Sequence, residues 1–213
     1  MARLEIPVST VAAGTILQHV SRLTYRGTPP YFSKDKKCRY DDPLKVFGVL
    51  YLGFDLNTSV MESVFHKHRW SRGARTISTV QVAQRMVRII GVKDDLRLAH
   101  ITADGIMAPV LGLNLSQLLS RRYGHTHRLS ARVHGNLDSN GHEYDGILYP
   151  SRNNYPATCV ALFSRAASKI VLLRDLDLVR HRDWSSFVVQ HKVKIVPAWK
   201  DGSAGTVALQ RDR

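Results

Sequence analysis

The stretch VFGVLYLGF, residues 46–54, is the sequence feature that most restricts how this chain can fold. It is almost wholly apolar and combines valine with aromatic residues, which is typical of a strand buried inside a sheet. A membrane-spanning helix needs about 20 consecutive apolar residues, and no run of that length occurs in the chain. We therefore expect a globular fold built around a buried β-strand, with no membrane association.

The remaining segments mix helix and strand patterns without a regular order. One helix is predicted to start within residues 55–58, and further helices are predicted at residues 113–123 and 126–136. Strands are predicted at residues 96–102, 147–149, 159–163, 169–173 and 192–196, whereas residues 76–90 fit either structure. Because βαβ units do not repeat, the pattern predicts the α+β class. With 213 residues and no break in composition, we expect a single compact mixed domain over residues 1–213.

Basic residues outnumber acidic residues and are concentrated in two stretches. Lys and Arg number 31 against 17 Asp and Glu, which gives a formal net charge of +14. Residues 63–93 and 105–137 contain no Asp or Glu at all. This distribution is compatible with a nucleic acid, an anionic small molecule or an acidic protein partner, and equally with a solvated basic surface.

Several well-known catalytic and metal-binding motifs do not occur. The sequence has no GxGxxG, GxxxxGK[ST], GxSxG, HExxH or CxxC motif. The two H-x-H pairs, at residues 66–68 and 125–127, have no further ligand nearby, so we expect no metal site. Cys38 and Cys159 are too few for a disulfide framework, and Cys159 is expected to pack in the core. The N-terminus is a poor signal peptide, so these features together predict a cytoplasmic protein.

Three segments, taken in order, carry a resemblance to a known family. YFSKDKKCRYDDP (31–43) comes just before FGVLYLG (47–53), NTSVMESV carries Glu62, and DGILYPSR (145–152) precedes CVALF. In this order and spacing they resemble the RES domain, named for its Arg, Glu and Ser. The resemblance is strongest over about residues 14–197.

The resemblance implies an identity, a fold and an activity. RES proteins are toxins of bacterial toxin–antitoxin pairs whose antitoxins are Xre-type helix-turn-helix proteins. Characterised members degrade NAD⁺, some by phosphorolysis to nicotinamide and ADP-ribose 1″-phosphate, and their fold resembles that of the ADP-ribosyltransferase toxins. The resemblance thus implies NAD⁺ as substrate, inorganic phosphate as co-substrate and no permanently bound cofactor. It also implies an Xre-type antitoxin as partner, DNA contact only through that antitoxin, and an oligomer as one form of the complex.

The resemblance also assigns candidate catalytic residues. Cleavage of the nicotinamide–ribose bond passes through an oxocarbenium-like state, which a nearby carboxylate stabilises. Glu62 is the candidate for this role, although a capping box with Ser59 would also explain it. Arg39 matches the loop arginine of the family and is expected to bind phosphate or pyrophosphate. Ser151 is expected to bind a phosphate or a ribose through its hydroxyl.

Four further residues are candidates for substrate binding. Tyr51 is expected to stack on the nicotinamide ring, with Tyr40 as the alternative ring, and Arg152 is expected to add a phosphate contact. His19 stands where the family usually has an arginine, and a neutral histidine binds phosphate more weakly. Arg22 or Arg26 would compensate if the loop were shifted.

The sequence leaves the function open between three hypotheses. The first is an NAD⁺-degrading toxin that uses phosphate or water as acceptor, with residues 66–88 forming part of the antitoxin-binding surface. The second is an ADP-ribosyltransferase that modifies a macromolecule. The third, favoured by His19, is a catalytically weak binding module that uses its basic surface for nucleic acid.

Overall fold

The computed structural model describes residues 5–65 and 75–198. In these residues the strands are β1 (Val8–Val11), β2 (Ile16–Arg22), β3 (Val49–Gly53), β4 (Arg75–Ser78), β5 (Arg85–Val92), β6 (Leu96–His100), β7 (Gly146–Pro150), β8 (Thr158–Phe163), β9 (Ile170–Asp177) and β10 (Val193–Val196). The α-helices are α1 (Leu56–Ser63), α2 (Thr79–Ala83), α3 (Leu115–Leu119), α4 (Gly124–His134) and α5 (Trp184–Gln190). None of the described helices is long and apolar enough to cross a membrane.

One sheet of eight strands organises the molecule, in the order β1-β6-β7-β8-β3-β2-β5-β9. Its neighbours are antiparallel except for β6 and β7, which run parallel. Strands β4 and β10 pair separately in a small parallel sheet. Helices and strands are not arranged as repeated βαβ units, which confirms the predicted α+β class.

The sheet opens between β2 and β3. These two strands are paired at Gln18 and Gly53 only, whereas β2 pairs with β5 along its whole length and β3 does the same with β8. Beyond Gln18 and Gly53 the two strands separate and form no further backbone pairs. A side-chain hydrogen bond links them there instead, in which His19 Nδ1 donates to the Tyr51 carbonyl at 2.8 Å. The separation leaves room for a cleft in the middle of the sheet.

Three apolar clusters hold the two halves of the sheet and their helices together. Helices α3 and α4 pack on β7, β8 and β3 around Phe163, Tyr149 and Leu129. Helices α1 and α5 pack on β2 and β5 around Val60 and Phe187. The third cluster consists mainly of strand residues from both halves and spans the opening. The cleft therefore lies between the cluster around α3 and α4 and the cluster around α1 and α5.

Local hydrogen bonds explain where the elements differ from the sequence predictions. The central strand begins at Val49 rather than at residue 46, because the Asp42 carboxylate accepts from the backbone N–H groups of Leu44, Val46 and Phe47 and holds them in a loop. The helix predicted at residues 113–123 is shorter, since the backbone at Ser120 is extended and ends α3.

The start of α1 corrects one prediction. Asp55 is the N-cap, and its side chain accepts from the Thr58 N–H at 2.6 Å, as the helix signal at residues 55–58 indicated. Ser59 lies inside the helix, where its hydroxyl donates to the Asp55 carbonyl at 2.7 Å and is 3.1 Å from the Gln18 carbonyl. The Ser59–Glu62 capping box was wrong, so capping does not explain Glu62.

Candidate active site

The Glu62 carboxylate, near the end of α1, is held by the loop that follows β7. Its Oε1 atom accepts from the Ser151 hydroxyl at 2.8 Å, from the Arg152 N–H at 2.8 Å and from the Asn153 N–H at 3.3 Å. Only 13% of the side chain is exposed. Three donors on one oxygen fix the orientation of the carboxylate before any ligand binds.

Arg39 approaches the other carboxylate oxygen. Its Nη2 atom lies 3.6 Å from Glu62 Oε2, and the guanidinium lies over the Tyr149 ring at 5.5 Å from the ring centre. Burial acts to lower the pKa of Arg39, but the surrounding Tyr40, Tyr149 and Glu62 raise it overall. The result is a charged, buried Arg–Glu pair, an arrangement that costs desolvation energy and is therefore weak evidence for a purely stabilising role.

Asp41 links the loop that carries Arg39 to the central strand β3 through hydrogen bonds. Its Oδ1 atom accepts from the Tyr51 hydroxyl at 2.8 Å, and its Oδ2 atom accepts from the N–H groups of Lys37 and Cys38. The same Tyr51 oxygen accepts from the Tyr40 N–H at 2.8 Å. Tyr51 and Asp41 thus fix the position of Arg39 relative to β3.

His19 is a neutral group at the opening of the sheet. Burial lowers its pKa, the hydrogen bond to the Tyr51 carbonyl opposes this, and the positive charge of Arg88 lowers the pKa further. Neither Arg22 nor Arg26, the two residues expected to compensate if the loop were shifted, lines the cavities beside His19: Arg22 is exposed and Arg26 pairs with Asp177. The arginine beside His19 is instead Arg88, its partner on β5.

Three cavities in the described part of the chain adjoin one another at the opening of the sheet. The smallest, of about 50 Å³, is lined by Gln18, Gly53 and Glu62 among others, and the other two are larger. The Glu62 cavity, of about 230 Å³, is lined by His19, Cys38, Arg39, Tyr51, Glu62, Ser63, Tyr123, Tyr149 and Arg152. The other large cavity, of about 300 Å³, is the Arg88 cavity, after the buried residue in its wall. The two share His19, Cys38 and Tyr51. Both cavities therefore lie side by side where β2 separates from β3.

The predicted site residues are brought together, with two differences of placement. Five of them line the Glu62 cavity, namely Glu62, Arg39, Tyr51, His19 and Arg152. Ser151 is fully buried behind Glu62 and reaches the cavity only through that carboxylate. Tyr40 is fully buried and packs with its ring centre 4.6 Å from that of Tyr149, so it is not a ring of the cavity wall among the described residues.

The sequence reasoning missed two rings of the cavity wall, Tyr123 and Tyr149. Burial, together with Cys159 and Glu62, raises the pKa of Tyr149 well above its usual range, so its phenol is neutral. Tyr149 lies inside the DGILYPSR segment and could have been found there, because it precedes Ser151 by two residues. Tyr123 belongs to a separate loop before α4, and no local pattern pointed to it.

The residues proposed for the antitoxin surface only partly fall within the structure. Residues 66–74 lie outside the described part of the chain. Arg75 and Arg88 are 4% and 2% exposed, which corrects their assignment to a surface. Among the residues described, no group of three or more His, Cys, Asp or Glu side chains could hold a metal ion. Cys159 is buried, as predicted, and burial raises the pKa of its thiol.

The fold and the site define an α+β domain with an arginine-paired carboxylate inside a cleft of its sheet. The family model described as the RES domain matches residues 17–184. The chain belongs to the RES domain family. At the level of that family it is an NAD-related module of the toxin–antitoxin type. No curated protein matches the chain.

Proposed function

We propose that this protein is the toxin of a toxin–antitoxin pair and degrades NAD⁺ by breaking the nicotinamide–ribose bond. The observation that carries the proposal is the buried Glu62 carboxylate, held by three donors on one oxygen and facing Arg39 on the other. The carboxylate borders a cavity that also presents tyrosine rings and arginines. These are the groups that a nicotinamide, a ribose and a pyrophosphate need.

The proposed reaction has two steps, bond cleavage and attack by the acceptor. The C1′–N bond breaks, and its electron pair goes to the nicotinamide nitrogen, which becomes neutral. The ribose is left as an oxocarbenium-like cation, and the negative charge of Glu62 stabilises it. A phosphate oxygen then bonds to this same anomeric carbon, which is C1″ in the product, and gives ADP-ribose 1″-phosphate; alternatively a water oxygen bonds there and releases a proton to solvent.

The remaining residues bind and orient the substrate. Tyr51 and Tyr149 offer faces to the nicotinamide ring, and Arg39 and Arg152 carry the positive charge that attracts the pyrophosphate. Ser151 acts as a positioning residue for Glu62. His19, neutral and bonded to Tyr51, is a weaker phosphate ligand than arginine, so water competes more effectively with phosphate as the acceptor.

Membership of the RES family supports a proposal for the biological setting. The proposed partner is an Xre-type antitoxin that covers the cleft, and DNA is reached only through it. NAD⁺ is consumed as a substrate, so no cofactor is permanently bound. We also propose that the split sheet corresponds to the NAD-binding cleft of the ADP-ribosyltransferase toxin fold, and that the protein acts in the cytoplasm.

The test is nicotinamide release from NAD⁺ by the purified full chain, measured by chromatography with and without phosphate. Phosphate-dependent release identifies a phosphorylase, and release without phosphate identifies a glycohydrolase. Label transferred from NAD⁺ to a protein or nucleic acid would replace the proposal with ADP-ribosyl transfer to a macromolecule. Absence of release in both buffers, from protein shown to be folded, would overturn the proposal in favour of a binding module.

A further inference from the structure

The Arg88 cavity is a built pocket that the proposed chemistry at Glu62 does not use. It measures about 300 Å³, at the small end of the range of roughly 300–1,000 Å³ that small-molecule pockets occupy. Tyr25 and Tyr31 line it and are 53% and 70% exposed. Two exposed aromatic residues on one pocket offer faces on which a planar ligand can stack.

A buried ion pair holds the segment that carries these tyrosines. Arg88 donates from Nε to Asp175 Oδ1 at 2.9 Å, and both side chains are less than 10% exposed, at 3% and 7%. The other two guanidinium nitrogens donate to the carbonyls of Thr28 and Pro29. Asp175 in turn accepts from the Gly27 N–H at 2.9 Å. The loop between the two tyrosines is therefore fixed in place before a ligand arrives.

The same bonds determine what kind of ligand the cavity suits. Every guanidinium nitrogen of Arg88 already donates to a partner, and Asp175 balances its charge. Among the described lining residues, Arg88 is the one Arg or Lys, and Asp35 adds a carboxylate at the same wall. Asp35 is paired with Lys37 at 3.3 Å through Oδ2. A phosphate would therefore find little uncompensated positive charge here, whereas a ribose hydroxyl could donate to the other carboxylate oxygen of Asp35. The lining thus favours an uncharged, planar ligand that carries hydroxyl groups.

We propose that the Arg88 cavity binds the adenosine half of the dinucleotide, with Tyr25 and Tyr31 stacking on the purine. This rests on the proposed function, since NAD⁺ is the substrate there. His19, Cys38 and Tyr51 border both cavities, so one dinucleotide can place its nicotinamide riboside at Glu62 and its adenosine beyond His19. The volume suits one nucleoside rather than a whole dinucleotide.

Nicotinamide mononucleotide separates this subsite from the catalytic chemistry, because it has the same scissile bond and no adenosine. The measurement is kcat/KM for NAD⁺ and for nicotinamide mononucleotide in wild type, Tyr25→Ala and Tyr31→Ala. Loss of a stacking ring should lower the preference for NAD⁺ about tenfold per tyrosine. Tyr25→Phe and Tyr31→Phe keep the ring and serve as matched controls that should keep most of the preference. An unchanged preference in both alanine variants would overturn the proposal.

A binding measurement keeps the subsite testable without catalysis. Calorimetry of ADP with the same full-length variants should show binding to wild type that weakens about tenfold in each alanine variant. If the wild type cleaves neither substrate but binds ADP in this tyrosine-dependent manner, the proposed function fails and the subsite stands. If ADP does not bind, or binds equally to all variants, the subsite fails whatever the protein does to NAD⁺.

Discussion

The Ser151 hydroxyl donates to Glu62 Oε1 at 2.8 Å, across 89 positions of the chain. Ser151 is fully buried, and its oxygen also accepts from the Asn154 N–H at 3.0 Å. The serine therefore links the carboxylate of α1 to the turn that follows β7, and it has no open side from which to attack a substrate. We therefore expect its role to be to hold Glu62, and the two residues should behave as one unit when they are changed.

The negative charge of Glu62 should be essential for activity. Glu62→Gln keeps the length of the side chain and an oxygen that can still accept from Ser151, but removes the negative charge opposite the developing cation. We expect kcat for nicotinamide release to fall about 100-fold or more, in line with the loss of one preorganised electrostatic group. Glu143→Gln, at a surface carboxylate that is 64% exposed, is the matched control. A Glu62→Gln variant as active as wild type would remove Glu62 from the chemistry.

Ser151→Ala should lower activity in the wild-type background but have little effect in the Glu62→Gln background. Removing the hydroxyl leaves Oε1 with its two backbone donors, so we expect kcat to fall about tenfold, the equivalent of one hydrogen bond to a charged group. In a Glu62→Gln background the same change should have little further effect, which the double-mutant cycle measures. Additive losses would show that Ser151 contributes independently of Glu62, for example by contacting the substrate itself.

Arg39→Lys tests whether charge alone is enough in the loop. Lysine keeps the positive charge but loses the planar group that lies over Tyr149 and reaches Glu62. Because an ammonium cannot reproduce both contacts, we expect KM for NAD⁺ to rise about tenfold. Arg180→Lys, at a side chain that is 81% exposed, is the control for the substitution itself. Equal KM values in both variants would exclude Arg39 from substrate binding.

Tyr51→Phe should destabilise the loop that carries Arg39. The substitution removes one oxygen that donates to Asp41 and accepts from the Tyr40 N–H. Since Asp41 Oδ1 and the Tyr40 N–H each lose this partner in a buried region, the free energy of unfolding should fall by about 1–3 kcal/mol. Urea unfolding measures this, with the exposed Tyr155→Phe as control. A loss no larger than that of the control would mean that the loop does not depend on the hydroxyl.

Much of the site was predictable because its residues lie in short, ordered segments. Glu62, Arg39 and Ser151 were found from three motifs, and the structure brings them within hydrogen-bonding or ion-pairing distance of one another. The apolar run at residues 46–54 correctly placed a buried central strand. The strand was predicted from its apolar, β-branched and aromatic residues. Glu62, Arg39 and Ser151 were assigned from the ordered segments that resemble the RES domain, because local sequence alone also explained Glu62 as a helix cap.

The features that were not predictable depend on contacts between distant segments. The opening of the sheet follows from the single pairing of β2 with β3, and no local pattern encodes strand order. Asp41 looks like an ordinary acidic loop residue in the sequence, and its role in holding the loop depends on its hydrogen bond with Tyr51 on β3. From the sequence alone, Arg88 is expected to be a surface charge. Its burial is stabilised by the ion pair with Asp175, which lies on the distant strand β9.

Acid should destabilise the folded protein below about pH 6.5, and His134 should account for part of the effect. Burial, assisted by the charge of Arg165, lowers the pKa of His134 to about 4, and its ring stacks on Phe47 with the centres 3.9 Å apart. As the pH falls below 6.5, His134 becomes protonated in the unfolded state but stays neutral in the folded state until the pH approaches 4. The stability is therefore full above pH 6.5 and declines between pH 6.5 and 4.

His134→Phe keeps a flat ring on Phe47 and removes the titrating group. The fall in Tm between pH 7 and pH 4.5 should therefore be smaller in this variant than in wild type. His19 has its pKa lowered in the same direction, so part of the slope will remain. Asp138, whose pKa is lowered from 3.8, contributes stability that is lost only at lower pH, which keeps it out of this window. His142→Phe, at an exposed histidine, is the control, and an equal flattening in both variants would contradict the assignment to His134.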